Sequence, residues 1–252
     1  MYLRLARLRR FSGHVSNGRL GSLETLYFDQ DDWAVRFIAF SMSSPSGATS
    51  SALVSPLQIE GVDIEQERIE LEAGHDVYRF ASGDRRRPLP SEVTARIVQH
   101  YELPDFWDGS GVWGDHRIPG GLRSAPGPQR RPSRGVSIME QEAQRPPRVF
   151  PHNLLMGRGV FSPDGRLGVI SDLLIDPETW RIRYFIIWLQ APGENGEVLL
   201  SPFWVNGPPE KQKVTVPMTT EAIVSGPNFV PEDLEPLDEQ ILARYFGFLT
   251  EQ

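Results

Sequence analysis

The chain has no cysteine among its 252 residues. That absence excludes disulfides, thiolate zinc sites and cysteine nucleophiles together, and it fits a reducing compartment. Long apolar runs are missing too. The longest, Tyr184 to Leu189, has the length of a strand, far short of the ~20 residues of a membrane helix. The opening MYLRLARLRRF carries four arginines but neither an apolar core nor a cleavage site, so no secretory signal is read there. A cytoplasmic location without membrane insertion is the resulting expectation. Excess positive charge is lacking as well: 26 basic against 33 acidic residues give −7, a field that repels a phosphate backbone and argues against nucleic-acid partners.

Sites for chemistry are equally scarce. The five histidines, at 14, 75, 100, 116 and 152, have no metal-ligand spacing. Asp29, Asp31 and Asp32 read as a polar turn rather than a calcium loop, because the matching turn at Asp176 to Thr179 has fewer acids. No phosphate-cradling glycine loop, G-x-S-x-G elbow or H-E-x-x-H occurs. Without a nucleophile–base pair there is no reaction to assign. The expectation is a protein that is not an enzyme, with no cofactor and no metal.

What the chain does have is a repeat. Gly18-Arg19-Leu20-Gly21 returns as Gly165-Arg166-Leu167-Gly168, and without a gap Leu26, Asp29, Trp33 and Arg36 match Leu173, Asp176, Trp180 and Arg183. These are eight identities over the 21 positions 18–38 and 165–185; unrelated sequences of ordinary composition share about one or two. With small gaps Val54-Ser55-Pro56 parallels Leu200-Ser201-Pro202, and Ile69 and Leu71 parallel Val214 and Val216. A short helical pattern closes each copy on an aromatic, Val93 to Tyr101 and Leu237 to Phe246.

Asn17-Gly18 and Asp164-Gly165 supply the positive φ of tight hairpins. Strands are expected at Leu167–Ile175, Trp180–Leu189, Glu197–Val205 and Lys213–Pro217, with partners near Ser51–Ile59 and Arg68–Glu72 in copy one. In the second of these, Trp180, Ile182, Tyr184, Ile186 and Trp188 share a face. Trp33 and Trp180 read as core residues. Arg36 and Arg183, beside acidic turns, read as partners in structural ion pairs. Five or six short strands in about 75 residues suggest closure into a small barrel, which removes sheet edges. The chain is therefore expected to be mainly β: two small β-barrels in tandem, each followed by a short helix.

Copy one is assigned to 1–108 and copy two to 149–252. Between them, 109–148 is rich in proline, glycine and arginine and reads as a linker. From Arg117 to Arg134 it has five arginines and no acid. The acids Glu232, Asp233, Glu235, Asp238 and Glu239 gather near the other end. The aromatic residues Tyr101, Phe106, Trp107 and Trp113, outside any periodic pattern, have two readings: anchors for a protein partner, or a flap folded back over the barrel. Tyr245 and Phe246 close copy two in the same way.

The string DGRLGVISDLLIDPETWRIRYFIIWL, with EVLLSPFWV and KVTVPMTTEAIVSGP after it, resembles a PRC-barrel domain, and in particular the bacterial stand-alone PRC-barrel proteins. The family takes its name from the cytoplasmic domain of the photosynthetic reaction centre H subunit and includes the C-terminal domain of the ribosome maturation factor. The matching residues are Asp164-Gly165, Asp176 to Tyr184, Ser201 to Trp204 and Tyr245-Phe246-Gly247. Copy one departs from the pattern: Asn17 replaces the aspartate, Leu57-Gln58 stands where an aromatic is usual, and Ser43 to Ser51 is a polar insert. The resemblance implies a module that binds macromolecules and has no catalytic residues. It implies a non-catalytic adaptor for protein partners, with homodimerisation compatible. Two alternatives follow from the same family: an accessory subunit of a membrane electron-transport complex, and an adaptor linked to ribosomes or RNA processing.

Overall fold

The computed structural model describes residues 1–16, 18–42, 50–72, 77–81, 87–107, 111–123, 148–190, 196–205 and 213–247. Asn17, His75, most of the polar insert and most of the expected linker lie outside the described residues. In chain order the elements begin with β1 (Leu3–Arg4), α1 (Leu5–Leu8), β2 (Ser12–Val15), β3 (Gly18–Phe28), β4 (Val35–Met42) and β5 (Ser50–Val54). β6 (Ile59–Asp63), β7 (Arg68–Leu71), β8 (Tyr78–Ala81), α2 (Ser91–His100) and α3 (Pro119–Arg123) follow. The second half has β9 (Phe150–Pro151), β10 (Gly159–Ser162), β11 (Gly165–Asp176), β12 (Arg181–Leu189) and β13 (Glu197–Leu200). It ends with β14 (Lys213–Thr215), α4 (Thr220–Val224) and α5 (Pro236–Tyr245).

The chain is mainly β and forms two sheets, each within one of two compact units. Unit N comprises Arg10–Pro151 with Glu178–Trp180; unit C comprises Met1–Arg9, His152–Pro177 and Arg181–Gln252. The units thus differ from the sequence repeats at three places. Residues 1–9 of copy one belong to unit C, while Val149 to Pro151 and Glu178–Trp180 of copy two belong to unit N.

The sheet of unit C runs β13-β12-β11-β10-β14, with β1 also on β11. That of unit N runs β6-β7-β2-β3-β4-β5-β8, with β9 also on β3. Neither path closes among the described residues, so the expected barrels are seen only as open sheets.

The duplication extends to the irregularities of the sheets. Three successive antiparallel pairings, β2-β3-β4-β5, match β10-β11-β12-β13. A parallel strand then returns to the first of them, with Gly13 opposite Ile69 and Val160 opposite Val214. Register shifts between Leu23 and Thr25 and between Tyr27 and Phe28 recur between Ile170 and Asp172 and between Leu174 and Ile175. Even the short lead strands correspond: Leu3 lies opposite Ile175 and Phe150 opposite Phe28. A bulge bends its strand and increases the local twist, so matching bulges give the two sheets matching curvature.

Three local rules explain the repeated motifs. At Gly21 an added Cβ would collide with Ser41, and at the matching Gly168 with the carbonyl of Trp188, so the cross-strand backbone lies too close for any side chain. Ser55 and Ser201 cap short 3-10 turns, Pro56–Gln58 and Pro202–Trp204, by accepting the N–H of Leu57 (3.3 Å) and Phe203 (3.4 Å). The proline after each serine sits where a helical turn needs no N–H. For that reason the strands expected across these segments stop short, at Val54 and Leu200. Trp33 and Trp180 do not lie in the second strand itself: both precede it in the left-handed region, at φ 54° and 55°, and both are buried. A bulky residue rarely adopts that conformation, and here burial of the indole holds it in place.

The alternation expected along β12 also needs correction. Tyr184, Phe185, Ile186 and Ile187 are all buried, because this stretch is covered on both faces, whereas Trp188 is 46% exposed. Alternation marks only strands with one wet face. The helices match as well: α2 and α5 both have ten residues and bury equivalent positions, Ile97 and Leu242. Among the described residues no helix is long and apolar enough to cross a membrane.

At the far end of unit C, Asp164 joins the β10–β11 turn to α4 by accepting the N–H of Thr220 at 3.0 Å and its hydroxyl at 3.0 Å. Bonds from the Ser162 side chain first, then from Thr220, hold its carboxyl down at about 2. A depressed folded-state value contributes stability above the ordinary aspartate range that is lost as pH falls towards 2. Asp164→Asn is therefore expected to lower the melting temperature at pH 6 and to match the wild type at pH 2, which a pair of thermal melts would check.

Candidate interaction site

In unit N the turn after β3 builds a buried cation. Asp29, at the end of β3, accepts the N–H of Asp32 at 2.8 Å and receives the Arg36 guanidinium. Arg36 also donates to Asp32 Oδ2 at 3.0 Å and to the Val112 carbonyl. Both Arg36 and Asp29 are nearly inaccessible, at 2% side-chain exposure each. Burial pushes the Asp29 carboxyl up, and Arg36 pulls it back. The guanidinium stacks on Trp113 at 4.8 Å and on Phe106 at 5.2 Å, favourable cation–π geometry. The Trp113 indole N–H donates to the Thr179 carbonyl at 2.8 Å, and the Val35 N–H to the Trp180 carbonyl at 2.7 Å.

The aromatic residues after α2 pack within unit N. Phe106 and Trp113 are fully buried, Trp107 stands edge-on to Phe106 at 4.7 Å, and the Tyr101 hydroxyl links the sheet by donating to Leu53 O and accepting from Tyr78 N–H, both at 2.7 Å. Residues 111–123, within the segment read as a linker, carry the buried Trp113 and α3.

The equivalent arginine in unit C has a different partner. Arg183 forms a two-pronged pair with Glu239 of α5, at 2.8 and 2.9 Å from Nη2. The acidic turn at Asp176 is not its partner. Burial first, then Glu239, pushes the Tyr2 phenol up to about 12 and the Tyr184 phenol also upward. Beside them Trp204 packs on Phe246 at 4.9 Å and on Tyr184 at 6.4 Å. Asp172, buried, accepts the N–H groups of Ala6 (3.2 Å) and Leu173 (2.8 Å), and burial raises its carboxyl.

Among the described residues, seven of the eight exposed large apolar side chains belong to unit C, and Ile118 of unit N is the eighth. Trp188, Phe203, Leu237, Ile241 and Tyr245, all in unit C, are between 40% and 64% exposed. The Arg181 guanidinium lies over the Phe203 ring at 5.2 Å. In unit N the residue matching Phe203 is Leu57, which is buried. Exposed tryptophan, phenylalanine and tyrosine are the side chains protein interfaces favour. Sequence reading found Tyr245 but missed Trp188 and Phe203, whose strand and turn patterns look like core. Among the described residues no group of histidine and acidic side chains could hold a metal ion.

The chain matches no protein-family model and no curated protein.

Proposed function

We propose that each half is a barrel-like module of the PRC type and that the chain is a non-catalytic adaptor in the cytoplasm, binding protein partners through unit C. The observation that carries this reading is the contrast between the copies. Backbone irregularities, glycines and capped turns are duplicated, whereas the exposed side chains have diverged, with Phe203 standing where copy one has the buried Leu57. A shared scaffold on which one copy exposes apolar side chains is what recognition requires. The parallel return of β7 and β14 to β2 and β10 supports a barrel, because it brings the last strand of each module back beside the first.

The electron-transport alternative calls for a buried acid with a raised pKa, and Asp172 has that property. Its carboxylate is already engaged by two backbone N–H groups, which favours a structural role.

The test is affinity purification of the tagged full chain from its source cells, beside Trp188→Ser/Phe203→Ser and a deletion of 124–147. The adaptor reading expects a defined set of proteins that the double variant loses at least tenfold and the deletion retains. Recovery of RNA alone, or of the same proteins with both variants, would overturn it. Co-purification of a membrane redox complex would favour the accessory-subunit reading instead.

A further inference from the structure

Leu237, Ile241 and Tyr245 follow one another at every fourth position of α5 and are 64%, 40% and 45% exposed. On a helix such positions form a single ridge. The first copy shows that the fold does not require it. In α2, the helix of equal length, the equivalent positions are Glu92, Arg96 and His100, also exposed but polar.

Charge along α5 is polarised. Asp233, Glu235 and Asp238 stand at its beginning and make no salt bridge among the described residues, unlike Glu232 with Arg4 and Glu239 with Arg183. Arg244 stands in the last turn, also without a salt bridge among the described residues. We propose that this face is a homodimer interface, in which α5 packs antiparallel on α5 of a second copy of this chain. Ridges of this spacing pack on one another at an inclined crossing, with Ile241 at the centre and Leu237 of each helix facing Tyr245 of the other. In that arrangement each Arg244 comes beside the acidic beginning of the other helix. At 1.5 Å per residue the partner's Glu235 lies only about 4.5 Å further along the axis. A parallel pair would place acid against acid, so charge selects the antiparallel form. The interface is isologous, as a twofold dimer demands.

A single helical face is smaller than the ~800 Å² per partner of a standard interface, so the association is weak, with Kd on the order of 10–100 µM. The inference does not depend on the adaptor reading; a dimer of adaptors would present every binding surface twice.

Sedimentation equilibrium of the full chain tests it. The expected result is a monomer–dimer equilibrium that weakens at least tenfold in Leu237→Glu/Ile241→Arg/Tyr245→His, which installs the residues of α2 and leaves the thermal melt unchanged. Arg244→Glu, which sets acid against acid, should weaken it about fivefold. Because the chain lacks cysteine, Ile241→Cys gives a second readout: oxidation should link two copies faster than in Arg96→Cys. A chain that stays monomeric up to about 500 µM, a dimer unaffected by the triple change, or equal cross-linking rates at 241 and 96 would each overturn the proposal.

Discussion

Removing residues 1–9 is expected to unfold unit C while unit N keeps its structure. The segment looks dispensable by position, yet β1 pairs with β11 and α1 packs against the same strand. Leu3, Leu5 and Leu8 are exposed by only 1%, 2% and 0%. Loss of a buried leucine side chain costs about 2–5 kcal/mol. Three such losses reach roughly 6–15 kcal/mol, as large as the ~5–15 kcal/mol that holds a typical domain together. The deletion also strips Arg4 from Glu197, which it holds at 2.8 and 3.1 Å, and from Glu232, and it takes from the buried Asp172 the N–H of Ala6. Hydrogen exchange would check this outcome: amides of β10 to β13 should lose protection while those of β3 to β5 retain it. Retained protection in β11 and β12 would show that the lead segment is ornamental. The same logic warns against expressing 149–252 as an isolated repeat, since that fragment lacks the segment completing its own unit.

Arg36→Met should cost unit N about 3–5 kcal/mol, the usual penalty for removing one partner of a buried ion pair. It leaves the Asp29 carboxylate in a site with 2% exposure and takes the donor from the Val112 carbonyl. The cost should depend on pH in a definite direction. Burial already pushes the Asp29 carboxyl up, and Arg36 is the main influence pulling it down, so the variant raises it further. A folded-state value above the unfolded one gives stability that is present at low pH and lost as pH rises through the folded value. Urea titrations should therefore find the variant closer to wild type at pH 5 than at pH 8. Asp29→Asn/Arg36→Met should recover part of the loss, because the stranded charge is gone. A penalty below about 1 kcal/mol, or one that is larger at pH 5, would contradict this account. Arg183→Met should be milder, since Arg183 and Glu239 are 28% and 16% exposed and water can reach the remaining charge.

Local pattern made much of the fold readable. The duplicated Gly-Arg-Leu-Gly and Asp-x-x-x-Trp-x-x-Arg spacings marked the repeat, and β11 and β12 fall within two residues of the strands expected at Leu167–Ile175 and Trp180–Leu189, because turn chemistry and β-branched runs act over a few neighbours. The terminal helices were legible for the same reason. Trp188 and Phe203 were not, because exposure depends on which elements cover a position, and no short-range pattern records that. Phe106 and Trp113 were ambiguous until Arg36 was seen against both rings; that contact joins residues about seventy apart in sequence.

By itself, then, the sequence determined that one strand-rich unit occurs twice and which glycines and turn residues recur in it. Each of these is set by steric limits on neighbouring residues. Only the tertiary structure decided that Met1–Arg9 completes the second sheet, that Val149 to Pro151 and Glu178–Trp180 complete the first, and which arginine meets which acid. Those choices rest on burial and charge pairing between segments far apart in the chain, and such pairings take their energy from the assembled core rather than from any local run of residues.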